Sequence, residues 1–188
     1  MGACCSCSAE PEVVLDPPTQ EEIFENLPVA ERKLWRIAFA RLDSTKSGRL
    51  PADHAPLRVF LSEFTLLSED DAEQAIGRLA TDNLDLEAFN KLMTAATQDD
   101  TAALAAFQNC AMGEEETMES RTARDQLRVL GQSRLNIGGD WGETLWGRVL
   151  DAALLDVGLH LNMEEWVQRC GMFTRYLLAL NQQQRPIL

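Results

Sequence analysis

The stretch from Val29 to Leu61 limits most strongly what this chain can fold into. Within it an apolar helical stripe runs into a short loop with oxygen-bearing side chains at alternate positions. Leu34, Trp35, Ala38, Phe39 and Leu42 recur at helical spacing and place one apolar face on a helix that ends at Asp43. The next twelve residues are DSTKSGRLPADH. Asp43, Thr45 and Ser47 stand first, third and fifth. Gly48 is sixth, the Arg49 carbonyl falls at the seventh position, and Leu50 at the eighth points inward.

This is the ligand order of an EF-hand calcium loop, in which a helix, the loop and a second helix form one unit. The pattern breaks at the twelfth position. A bidentate glutamate there supplies two oxygens to a hard cation, whereas His54 offers one nitrogen, so the loop keeps its turn and loses its clamp. With Asp43 as the sole anionic ligand, a site built from Asp43, Thr45, Ser47 and Arg49 binds calcium no tighter than roughly 10⁻³ M. The expectation is therefore a vestigial loop with no resident metal or other cofactor, and at most weak calcium binding.

Aligned on the apolar eighth position, the frame recurs at Leu84, Met118 and Leu161. The first two steps are 34 residues each and the last is 43, with the extra length in the Gly-, Ser- and Asn-bearing connector Gln132 to Trp141. The second frame has Gly77 and Leu79 at ligand positions and Ala88 at its end. The third starts at Ala111 and ends at Thr122. The fourth keeps Glu165 at its end but starts at Leu154. The fold class expected is all-α: four degenerate EF-hand units in two paired lobes, 21–97 and 98–181, with Leu50 beside Leu84 and Met118 beside Leu161. A tail, 1–20, precedes them and a polar tail, 182–188, follows.

Local signals place the helices. Thr19 with Glu21 and Glu22 opens a short helix before Pro28, Ser68 with Asp71 forms a capping box, Asp99 or Asp100 caps the next helix, and Gly131 closes the one after it. Met163 to Leu180 reads as a long, strongly apolar helix. Its stripe Trp166, Cys170, Phe173, Tyr176 and Leu177 is a candidate groove for a partner helix.

The first residues, MGACCSCS, fit the N-myristoylation pattern of Gly2 with Ser6, and Cys4, Cys5 and Cys7 lie beside it as thiols open to palmitoylation. A single myristoyl chain gives an association constant of only ~10⁴ M⁻¹, so a stable anchor needs a second signal. No Lys or Arg occurs before Arg32, while acids run from Glu10 to Glu31, so a basic patch is absent. Palmitate is then the second signal, and Cys4 is its best candidate. The alternatives are incidental cysteines in an unstructured tail, or a soft-metal chelate from Cys5 and Cys7.

Composition excludes several classes. Net charge is −13, which argues against nucleic acid and against electrostatic adhesion to anionic lipid. No apolar run reaches membrane-spanning length. The chain's 2 histidines, His54 and His160, have no nucleophile, metal cluster or phosphate-cradling glycine loop beside them, so an enzyme is not expected. Cys110 and Cys170, single on helical faces, read as small core residues.

Taken together, MGAC, the unit KLWRIAFARLDSTKSGRL, and a C-terminal half in which QLRVLG precedes HLNMEEWVQRC resemble the calflagins, the flagellar calcium-binding proteins of trypanosomatids. The resemblance implies a four-EF-hand fold, myristoylation at Gly2, palmitoylation at Cys4 and residence on the cytoplasmic face of the flagellar or plasma membrane. The chain departs from that family where calcium should bind, at Ala111, Thr122 and Leu154. The expected function is that of a non-enzymatic, doubly acylated adaptor that binds a protein partner, or a second copy, through an apolar groove largely independently of calcium. The alternative is a calcium-responsive membrane switch using the weak loop 43–54.

Overall fold

The computed structural model describes residues 16–79, 82–98, 100–111, 116–134 and 142–184. Helices dominate, with a few two-residue strands between them. In chain order they are α1 (Gln20–Glu25), α2 (Leu27–Leu42), β1 (Leu50–Pro51), α3 (Ala55–Phe64), α4 (Glu69–Gly77), β2 (Asn83–Leu84) and α5 (Leu86–Ala96). After these come α6 (Thr101–Cys110), β3 (Met118–Glu119), α7 (Ser120–Arg134), α8 (Glu143–Ala153), β4 (His160–Leu161) and α9 (Met163–Gln184).

The caps follow the sequence signals. The Thr19 hydroxyl accepts from the Glu22 backbone while the Glu22 carboxylate accepts from the Thr19 backbone, a reciprocal capping box that starts α1. Asn26 ends α1 and caps α2 through Val29 N–H, with Pro28 in the first turn where its missing donor costs nothing. Ser68 accepts from Asp71 N–H at the start of α4. Asp100 precedes α6 without a side-chain cap bond, and Asp99 lies outside the described residues.

Both expected pairings are present as antiparallel bridges. Leu50 faces Leu84 and Met118 faces Leu161. All four side chains are at most 1% exposed, so each bridge serves as a buried crosspiece between helix pairs. Pro51 sits opposite Asn83, and Ala52 N–H picks up the Asp82 carbonyl at 2.9 Å, which continues the pairing that proline itself cannot donate to.

At Gly131 the chain departs from expectation. α7 runs through this residue instead of stopping there. A Cβ on Gly131 would lie 2.9 Å from the Trp146 ring and 3.1 Å from Phe173, so glycine here allows α7, α8 and α9 to approach closely. Glycine signals a helix end and a close helix crossing alike, and only packing distinguishes them.

Almost all the buried apolar residues of both halves, Ile37 and Leu178 excepted, form one continuous cluster. α9 ties the halves together. It packs on α6, α7 and α8 and also on α1, α2 and α3. From Tyr176 to Gln182 seven consecutive residues are buried, which on a helix means that every face is covered. α9 also extends beyond the residue at which a polar tail was expected to begin, with Gln182 only 5% exposed.

Candidate functional site

Two places concentrate polar chemistry in the described chain: the loop after α2, and the seam where α9 meets α1 and α2.

In the loop, Asp43 ends α2 and turns its carboxylate inward, where it is 6% exposed. One oxygen accepts from the Thr45 hydroxyl at 3.0 Å and from Ser47 N–H at 3.0 Å, and the other accepts from Gly48 N–H at 2.6 Å. The Ser47 hydroxyl lies 3.1 Å from Asp43 and 2.9 Å from the Arg49 carbonyl, and its single proton serves either. Lys46 and Gly48 both take left-handed backbone, at φ 55° and 71°, and fold the chain around the carboxylate. Burial pushes the Asp43 carboxyl up, but the hydrogen bonds from Ser47, Gly48 and Thr45 outweigh it and hold the group below its ordinary value.

An open cavity of about 390 Å³ lies against this loop and is lined by Asp43, Thr45, Ser47, Arg49 and His54. The sequence-predicted loop residues are thus brought together. His54 serves as the start of α3 and makes no side-chain cap bond. Among the described residues no group of three or more His, Cys, Asp or Glu side chains is arranged to hold a metal ion.

The other loops use their polar residues differently. Glu165 accepts from Asn162 N–H at 3.0 Å while Asn162 accepts from Glu165 N–H at 2.9 Å, so that carboxylate closes a capping box on α9. Asp85 caps α5 through Ala88 N–H at 2.9 Å. Glu116, at the position of the third frame that Gly48 holds in the first, also takes left-handed backbone, at φ 45°.

At the seam, Arg175 of α9 grips Glu31 of α2 through one edge of its guanidinium, with Nε 2.9 and 3.2 Å from the two carboxylate oxygens and the Arg175 Nη2–Glu31 Oε2 bond closing the fork. Glu31 is 4% exposed. Hydrogen bonding to Glu31 raises the Arg175 pKa above its ordinary value. The Tyr176 ring stacks on Phe24 of α1 at 5.6 Å, and burial pushes its phenol up. Arg148 of α8 covers Phe24 with its guanidinium 4.2 Å from the ring centre and reaches Glu21 at 3.7 Å.

The stripe anticipated as a partner groove, Trp166, Cys170, Phe173, Tyr176 and Leu177, is buried throughout. Its occupants lie within the chain. Trp166 donates its indole N–H to the Ala103 carbonyl at 2.7 Å, Phe173 packs on Trp146, and Tyr176 packs on Phe24. A stripe this apolar needs cover, and α1, α2, α6, α7 and α8 supply it. Gly2, Cys4, Cys5 and Cys7 lie outside the described residues.

Sequence reading missed the Glu31–Arg175 pair. The signal was present, since Glu31 falls four residues after Leu27 and four before Trp35, on the buried stripe of α2, and a carboxylate there requires a counter-charge. What sequence alone lacks is the identity of that counter-charge, 144 residues further on. No family model, curated protein or solved structure matches the chain. No described helix is long and apolar enough to cross a membrane.

Proposed function

We propose that this protein is a non-enzymatic, membrane-anchored adaptor of the calflagin kind, built on four EF-hand-like units whose loops have exchanged ion binding for internal hydrogen bonding. The observation that carries this reading is the state of the loop carboxylates. Asp43 is satisfied by its own loop, Glu165 by the Asn162 cap and Asp85 by the start of α5. These three carboxylates are held by hydrogen bonds within the chain. The pairing of the eighth positions supports the same frame, because bridges between Leu50 and Leu84 and between Met118 and Leu161 join the loops in pairs.

In this reading the anchor is a myristoyl chain on Gly2 with palmitate on Cys4, assisted by Cys5 and Cys7, and the body stands at the cytoplasmic face of a flagellar or plasma membrane. Its partner is a protein helix or a second copy, engaged through apolar surface. Two experiments test it. In fractionated cells Gly2→Ala should move the protein wholly to the cytosol, and Cys4→Ser should leave it loosely held. Retention of Gly2→Ala on membranes would end the acyl-anchor reading. Calorimetric titration of the unacylated protein should show no calcium binding tighter than roughly millimolar, with His54→Glu gaining affinity. Micromolar binding by the unmodified loop would replace the adaptor with a calcium-responsive membrane switch using Asp43, Thr45, Ser47 and Arg49.

A further inference from the structure

The net charge of −13 conceals an uneven distribution. Arg32, Lys33, Arg36, Arg41, Lys46 and Arg49 stand between positions 32 and 49 with Asp43 as the one acid among them, so six cations and one acid give that stretch +5. On α2 the exposed residues Val29, Arg32, Arg36 and Ala40 recur at i, i+3, i+7 and i+11, which places them on one stripe. That stripe carries no acid. The carboxylates that adjoin it are engaged elsewhere: Glu31 with Arg175, Glu22 with Lys33, Glu87 with Lys91, and Asp43 with its own loop. By contrast, Arg32, Arg36 and Arg49 take part in no ion pair among the described residues.

Two effects compete when such a body meets acidic lipid. The molecule as a whole is repelled, but at physiological ionic strength charge is screened over about 8 Å, so acids on the far side count for little. An arginine held at an acidic leaflet strengthens binding by roughly fivefold. The side presented therefore decides the outcome. We propose that the stripe Val29, Arg32, Arg36 and Ala40 of α2 is a docking surface for acidic phospholipid and is the side of the body turned to the membrane. The two guanidinium groups meet headgroup phosphate and carboxylate oxygens through paired N–H donors. Val29, 49% exposed between them and the start of the helix, enters the apolar boundary, and Arg49 in the loop beyond α2 adds a further cation. α1 follows the segment that bears Gly2 and is separated from α2 by Asn26 alone, so an acyl anchor and the stripe belong to successive parts of the chain. The proposal rests on the membrane reading for its setting and is independent of calcium.

The test is sedimentation of the N-myristoylated full chain with vesicles of phosphatidylcholine alone or of phosphatidylcholine mixed with phosphatidylserine. Wild type should favour the acidic vesicles by roughly tenfold, and high salt should erase the preference. Arg32→Gln with Arg36→Gln removes two exposed side chains that hold nothing in the fold. That variant should bind acidic vesicles roughly 25-fold more weakly than wild type and neutral vesicles equally well. Arg121→Gln with Arg124→Gln makes the same change in net charge on α7 and should leave the preference within about twofold of wild type. Equal binding of wild type to both compositions would overturn the surface, as would an equal loss in the α7 variant, which would make net charge the cause. A polyglutamate peptide that binds wild type but not the α2 variant, with no preference for acidic vesicles, would assign the stripe to an acidic protein segment and overturn it too. If wild type binds both compositions alike and Gly2→Ala binds neither, the surface is removed and the anchor stands.

Discussion

The first and fourth loops start from the same frame and keep their shape by different means. Loop 43–54 retains its leading aspartate and folds around it, with Thr45, Ser47 and Gly48 all donating to one carboxylate. Loop 154–165 begins at Leu154 and carries its acid at the far end, where Glu165 turns back on Asn162 to cap α9. The interior crosspiece is common to both, since Leu50 and Leu161 are each at most 1% exposed. The lesson is that the apolar eighth position and its bridge maintain the frame. The carboxylates differ in partner from loop to loop while that bridge stays the same.

The hardest test of that lesson is to break the crosspiece. Leu50→Asp or Leu161→Asp buries an unpaired charge and should cost about 2–4 kcal/mol by urea unfolding. Because one cluster spans both halves, each variant should lower a single shared transition. Two separate transitions would show that the halves respond independently.

The helix crossings give the next largest effect. Gly131→Ala forces a methyl within 2.9 Å of Trp146 and should destabilise by about 1–3 kcal/mol. Gly77→Ala meets nothing within 4 Å and should stabilise by about 0.5–1 kcal/mol through backbone entropy. Thermal melts of the two variants shifting in the same direction would contradict the packing role assigned to Gly131.

Removing the charge that the first loop surrounds should cost less. Asp43→Asn is expected to lose about 1–2 kcal/mol at neutral pH. The folded carboxyl titrates below its ordinary value, so its stabilisation is complete above the unfolded pKa near ~4 and is lost as pH falls through the lower folded pKa. The wild type should therefore lose its advantage over Asp43→Asn on acidification, as read from urea midpoints against pH. Smallest of all, Asn162→Ala should cost about 0.5–1 kcal/mol, as the loss of one helix cap, with no such acid dependence.

Much of this fold was legible in the residues themselves. The stripe of α2, the bridges at the eighth positions and the caps at Thr19 and Ser68 follow from periodicity and short-range hydrogen bonding, which a sequence displays directly. The seam was not legible. Trp166 to Leu177 showed that α9 needed cover but not which surface would provide it, and Gln182 read as polar tail because nothing local reveals that the turn it sits on is buried. Gly131 misled for a related reason, since the ring it accommodates belongs to Trp146, across a connector. For the candidate site, the cluster around Asp43 could be read from spacing, whereas Glu31 showed only that some cation had to arrive.

The distance along the chain between those two charges sets an order of events. Glu31 and Arg175 are separated by 144 positions, and on a ribosome adding about 5–20 residues per second the carboxylate precedes its arginine by roughly 7–30 s. Through that interval the first helices have their apolar faces made and no α9 to cover them. The nascent chain is thus at its most adhesive before it is complete, and a partner present during synthesis meets an open surface that the finished molecule keeps closed.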